Sequence, residues 1–138
     1  ERLVVAVQAI AGAWRAHEEA LIYAGERKAF GKPIGSFQHN RFLLAEQATK
    51  LEVTQTFVDR CIAEHLAGKL TPELASMAKW WTTELQWEIA DQALQLFGGY
   101  GYMTEYPVSQ MFLDARAQTI YAGTNEIMKD LIGRAMGL

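Results

Sequence analysis

LFGGYGYMTEYPVSQMFLDARAQTIYAGTNEIMKDLIGR, residues 96–134, decides how the rest of the chain is read. Two small-residue elbows stand in it, Gly98-Gly99-Tyr100-Gly101 and Ala122-Gly123-Thr124, each between helical patterns. Glycine at such places lets backbone amides approach a ligand closely. Taken alone, Gly98-Gly99 after an apolar run also reads as a plain helix C-cap. The spacing fails the dinucleotide fingerprint, because no strand precedes it and no G-x-G-x-x-G is present. Around the elbows the pattern predicts two short helices, over residues 107–117 and 125–135.

Working back from this stretch, three long helices are predicted. Residues 71–97 carry Leu74, Met77, Trp81, Leu85, Ile89, Ala93 and Leu96 at helical spacing. Thr71-Pro72-Glu73 opens that helix with a hydroxyl cap, a proline at the first helical position and an early acid. Trp80, Trp81 and Trp87 read as core and subunit-interface packing rather than as a ligand platform. Residues 37–67 repeat Leu44, Ala48, Leu51, Val58, Ile62 and Leu66, and Gly68-Lys69 ends the run. Residues 1–28 set Leu3, Val4, Val7, Ile10, Ala11, Trp14, Leu21 and Ile22 on a wide apolar face, with Gly12 marking close packing. Residues 3–13 are apolar nearly all round, which predicts burial on sides that one domain does not cover. Between the first two helices, Gly31, Pro33 and Gly35 force a tight turn beside Arg27, Lys28 and Lys32. No repeat, strand alternation or linker interrupts the chain. The expected architecture is all-α, an antiparallel four-helix-bundle-like domain of three long helices and a broken fourth.

The 138 residues are half hydrophobic, enough for one domain with a core. A net charge of -3 gives no basic surface for nucleic acid or an anionic membrane. No apolar run suggests a membrane span. The single cysteine, Cys61, cannot pair internally and reads as buried filler in a soluble, reducing compartment. His39 and His65 lack neighbours at metal-ligand spacing, so no metal is expected. The chain opens inside a helical run, without methionine and without a signal peptide, as expected of a piece of a longer protein.

Taken together, LQLFGGYGY, YPV, DAR, IYAGTNEIM and LIGR resemble the C-terminal signature of the flavin-dependent acyl-CoA dehydrogenases. The resemblance runs back through Arg27-Lys28-Ala29-Phe30-Gly31-Lys32-Pro33-Ile34 to Glu1 and is strongest for the long-chain type. It implies that residues 1–138 are the C-terminal helical domain of an enzyme whose N-terminal helical and middle β domains lie outside this chain. It implies FAD as cofactor, a fatty acyl-CoA as substrate, an electron-transferring flavoprotein as electron acceptor and a homotetramer. The location implied is the cytoplasm in a bacterium and the mitochondrial matrix in a eukaryote. Two rival readings are an isovaleryl or other branched-chain enzyme, and a non-catalytic member that uses the bundle for assembly or nucleic-acid association.

The reaction removes an α proton and a β hydride from a thioester. It needs a carboxylate beside a weakly acidic C–H and hydrogen bonds on the thioester oxygen. Desolvation of that carboxylate would raise its pKa toward the working range. Many members of the family carry the base just before the glycine of the IY-x-GT elbow, where this chain has Ala122. The long-chain and isovaleryl types resemble one another in placing it in an ERL sequence on the first long helix, and this chain begins Glu1-Arg2-Leu3. The resemblance therefore makes Glu1 the base and Arg2, Ala122 and Gly123 the substrate contacts, with the Ala122 N–H donating to the thioester oxygen. It assigns the flavin dinucleotide to Arg27, Phe30 and Gln38, to Gln95, Leu96, Phe97, Gly98 and Gly99 from a neighbouring subunit, and to Thr124, Asn125 and Glu126. Asp114 and Arg116 are expected to form a structural charge pair near the elbow.

Overall fold

The computed structural model describes residues 1–138. Five helices account for most of them: α1, Arg2–Glu26; α2, Gln38–Leu66; α3, Pro72–Phe97; α4, Pro107–Gln118; and α5, Asn125–Ala135. None is long and apolar enough to cross a membrane. The three long helices form the body, and α4 and α5 are the two halves of the broken fourth, both packed on α3.

The boundaries follow the local chemistry. Thr71 accepts from Leu74 N at 3.2 Å, and Pro72 occupies the first turn of α3. Gly68 ends α2 at φ 69 and Gly98 caps α3 at φ 62, both in the left-handed region that glycine enters without a steric penalty. A short 3₁₀ turn, Gly98–Tyr102, then redirects the chain toward α4. The turn after α1 contains a feature not expected from sequence. Lys28–Ala29 (β1) pairs antiparallel with Lys32–Pro33 (β2), a minimal hairpin whose two connecting residues, Phe30 and Gly31, both have positive φ. Positive φ at both positions is the requirement of a tight primed turn, which matches strand twist.

The packing corrects the predicted face of α1. The buried stripe is Ala6, Ala9, Ala13, Ala16, Ala20 and Ala24, with Val5, Ile10 and His17 beside it. The larger Val4, Val7, Leu21 and Ile22 are exposed. The alanines recur at steps of three or four, so they form one seam, and their small size lets α1 lie close on α3. Gly12 belongs to the same contact, since a Cβ there would collide with the Gln86 amide. Leu66 is likewise exposed rather than part of the α2 stripe, because it lies in the last turn before the chain reverses. Met77 and Trp81 stay partly exposed on α3, while Leu85, Ile89, Ala93 and Phe97 join Leu44, Leu51 and Val58 of α2 in the core. Cys61 is fully buried, and burial pushes its thiol pKa up.

Two polar residues inside this core were invisible as such in the sequence. His17 is buried, and its Nδ1 donates to Gln47 Oε1 at 2.9 Å, linking α1 to α2. Lys79 is fully buried on α3. The expected pairing of Asp114 with Arg116 does not form. Asp114 accepts from Gln110 Nε2 at 2.7 Å, and Arg116 donates to Thr119 Oγ1. Residues two apart on a helix point to different faces, which keeps the two charges separate.

Gly12→Ala moves only the end of the Gln86 side chain and gains helix propensity, so it should be close to neutral in thermal unfolding. Gly12→Leu must spread the α1–α3 seam and is expected to destabilise by about 1–3 kcal/mol.

Candidate functional site

Glu1 and Ala122 come from opposite ends of the sequence, yet they line one cavity of about 400 Å³. Arg2, Leu3, His65, Leu70, Thr71, Pro72 and Ala75 complete the wall. The α1–α3 seam positions this end: Arg2 Nη1 lies 3.4 Å from Ser76 Oγ, which ties the first turn of α1 to the first turns of α3. Glu1 is the N-cap residue of α1, but its side chain makes no capping bond and is exposed. The carboxylate is thus free to serve a ligand, and the desolvation a base requires is not supplied by these residues alone.

The elbow on the other side of the cavity has an unusual backbone. Ala122 holds φ 57 and Gly123 φ 90. A left-handed alanine costs about 1–2 kcal/mol, so the surrounding contacts must impose it. The N–H groups of Ala122, Gly123 and Thr124 have no backbone or side-chain acceptor in the fold, whereas Asn125 N–H immediately after them donates to Thr119 O at 3.1 Å. Three consecutive unpaired donors at the mouth of a helix form the kind of surface that receives an oxyanion or a phosphate. Thr124 caps α5 by accepting from Ile127 N at 3.5 Å. The Glu126 carboxyl is held below its usual range by its own backbone N–H and by the Thr124 hydroxyl.

The remaining predicted residues fall into three places. Arg27 shares a cavity of about 510 Å³ with Leu96, Phe97, Gly98, Gly99 and Tyr100. Arg27 makes no salt bridge, and its guanidinium lies 5.8 Å from the centre of the Tyr100 ring. Phe30 and Gln95 line an adjoining cavity of about 550 Å³, which also has Leu96 in its wall. Phe30 is 95% exposed at φ 53: a strained backbone displays an aromatic ring to the outside. Gln38 is exposed in the first turn of α2 and lines neither cavity. Thr124, Asn125 and Glu126 line a third cavity of about 540 Å³ with Glu84, Trp87 and Arg116. The Asn125 side chain itself is buried, where its Oδ1 accepts from Lys79 Nζ at 2.9 Å. His65 was set aside in the sequence for want of metal-ligand neighbours. Its place in the wall of the cavity with Glu1 follows from the reversal at Gly68, which no spacing rule encodes.

The helical bundle thus places an acid beside an elbow with three free amides, and Gly98 and Gly99 beside Arg27 at a second cavity. The chain belongs to the acyl-CoA dehydrogenase family: residues 1–137 match the model of its C-terminal domain. It is 48% identical over 134 residues to the mitochondrial long-chain specific acyl-CoA dehydrogenase of Rattus norvegicus, covering 97% of this chain and 31% of that protein. It is 44% identical to subunit CarC of the caffeyl-CoA reductase–Etf complex of Acetobacterium woodii, covering 95% of this chain and 35% of that one. Among solved structures it superposes on the acyl-CoA dehydrogenase of Geobacillus kaustophilus with TM-score 0.98 and 48% identity, covering all of this chain and 36% of that one. The chain therefore spans about a third of the length of these relatives.

Strain at the elbow is directly measurable. Ala122→Gly should raise stability to urea by up to about 1 kcal/mol, because relief at positive φ outweighs the added chain entropy. Ala122→Val should lower it by at least about 1 kcal/mol, since a β-branched side chain tolerates that region worst.

Proposed function

We propose that this chain is the C-terminal domain of an FAD-dependent enzyme that removes an α proton and a β hydride from a fatty acyl-CoA thioester. The observation that carries the reading is the shared cavity of Glu1 and Ala122. A carboxylate without an intramolecular partner shares that cavity with an elbow whose amide N–H groups are unpaired. Those are the two components the chemistry requires, a base for the α proton and donors for the negative charge that collects on the thioester oxygen. Glu1 takes the proton. The Ala122 N–H, which does not depend on the side chain, binds the oxygen. Arg2 and Gly123 shape the approach of the substrate. The parts of the enzyme beyond this chain close the cavity and desolvate Glu1. The likeness to a long-chain specific relative favours a long acyl chain, and an electron-transferring flavoprotein would take the electrons.

The residues at the other cavities suit a flavin dinucleotide. Arg27 offers a guanidinium free of any carboxylate, with the planar fork that fits a pyrophosphate. A Cβ at Gly98 or Gly99 would meet nothing, so a ligand can approach the backbone there. Phe30 presents a ring in a strained conformation that has little value to the isolated fold. Gln95 adds a neutral polar group to the cavity wall, Gln38 would reach the dinucleotide from outside these cavities, and Thr124, Asn125 and Glu126 hold the end of the cofactor nearest the elbow. FAD, when bound, supplies the hydride acceptor.

Two outcomes test this reading. Because the cavities with Glu1 and with Arg27 share no residue and α1 leaves Val4, Val7, Leu21 and Ile22 uncovered, the 138-residue chain alone should purify colourless, without dehydrogenase activity, and self-associated. Gel filtration with an absorbance spectrum checks this, and a yellow, active monomer would refute it. In the full-length protein, Glu1→Gln should slow single-turnover bleaching of the flavin by a fatty acyl-CoA by ~10²–10⁴-fold. Adding Ala122→Glu should recover part of that rate, since both side chains reach the same cavity. Bleaching by Glu1→Gln at the wild-type rate would move the base elsewhere.

A further inference from the structure

Lys79 is the least expected residue of this fold. It is fully buried on α3, with no carboxylate within ion-pair distance. Its Nζ donates to one group, the Asn125 Oδ1, at 2.9 Å. The Asn125 amide is completed by its Nδ2, which donates to Thr83 Oγ1 at 3.0 Å, while Thr83 donates onward to the Lys79 carbonyl at 2.9 Å. Asn125 is the first residue of α5 and follows the three free amides of the elbow.

This arrangement is poor as mere packing. A buried lysine loses its hydration, and burial holds its ammonium below the ordinary lysine range, with only the Glu126 carboxylate opposing. A cation beside the N-terminus of α5 also runs against the helix dipole. A methionine would fill the same volume at neither cost. The elbow supplies the reason for keeping it. Ala122 is held at positive φ, a conformation that persists only where neighbours impose it. The Thr124 cap is long, at 3.5 Å, and leaves the start of α5 lightly held.

We propose that Lys79 is a positioning residue for the proposed reaction: by clasping Asn125 it fixes the start of α5, and through it the left-handed Ala122 that lines one cavity with Glu1. The inference rests on the acyl-CoA reading for its catalytic consequence, and on the chain's own geometry for its structural one. Lys79 touches neither substrate nor cofactor. It acts through Asn125, and the effect of losing it should appear at the elbow before it appears in the bundle.

The test uses the full-length flavoprotein with palmitoyl-CoA as probe. In Lys79→Met, amide hydrogen exchange over residues 119–128 should rise by about tenfold or more, while α1–α3 amides keep their protection. Bleaching at saturating palmitoyl-CoA should slow by about tenfold or more with flavin content unchanged, because small misplacements of donors are costly. Ile89→Val, a core substitution away from the elbow, should lower the melting temperature and move neither readout. Where Lys79→Met fails to fold, Asn125→Ser, too short to meet the ammonium, should show the same rise in exchange, measured on the flavin-free protein so that its place beside the cofactor does not enter. The double variant should exchange no faster than the worse single one, as for residues acting in series. Wild-type exchange and wild-type bleaching in Lys79→Met, or wild-type exchange in Asn125→Ser, would overturn the proposal, and so would an additive rise in exchange in the double variant. If palmitoyl-CoA fails to bleach the wild type, the acyl-CoA reading falls for that substrate, and the exchange measurement alone decides the role of Lys79.

Discussion

The close approach of α1 to α3 is the constraint on which the rest depends. Six buried alanines give α1 a small-residue surface, and at Gly12 even a Cβ would push the end of the Gln86 side chain aside. Small residues bring two helix axes together and trade individual burial for many short contacts. The consequence reaches both ends of the pair. At one end Arg2 meets Ser76, so Glu1 is held at the start of α3. At the other, Tyr23 stacks on Phe97 with ring centroids 4.0 Å apart, and its hydroxyl lies 3.4 Å from the Phe97 carbonyl. The first cavity with Glu1 and the second with Arg27 are thus set by the two ends of a single seam.

Much of this could be read before any coordinates. Thr71, Pro72 and Gly68 announce helix ends by mechanisms that operate within a few residues, and they appear where the chain places them. The all-α class and the break between α4 and α5 were equally local. The face of α1 was not. Large apolar residues dominate a periodicity argument, yet here they stay outside while alanines go in, because the size of the partner surface decides and a single sequence does not contain it. Leu66 and the separated Asp114 and Arg116 fail for related reasons: one lies past its helical partner, and the other two share a helix but not a face. The Phe30-Gly31 hairpin was hidden because phenylalanine is a poor residue for positive φ, so no propensity favours it there.

The candidate site was legible in its parts and illegible in its geometry. Glu1 and Ala122 could be paired only by resemblance, since nothing in residues 1–138 connects the two except the completed fold. The cavity they share is a finding about tertiary structure. Lys79 escaped notice for the opposite reason. A lysine in an amphipathic helix is assumed to face water, and only its burial together with the Asn125 amide reveals otherwise.

Three strained or unpaired features beside the cavities are not explained by the bundle, and they share a direction. Ala122 sits at positive φ beside unpaired amides, Phe30 sits at positive φ with its ring exposed, and Arg27 has a guanidinium without a carboxylate. None contributes to the α1–α3 seam. A fold selected for its own stability would relax each at small cost, by a glycine at 122, a polar residue at 30 or an acid near 27. Their retention is easiest to account for if the energy is recovered when something else is bound. The same logic explains why the base could move within the proposed reading. Once two distant positions converge on one cavity, a carboxylate at either can meet the same carbon. In that reading, a carboxylate at the start of α1 leaves the elbow to serve through its backbone N–H, which an alanine supplies as well as a glutamate.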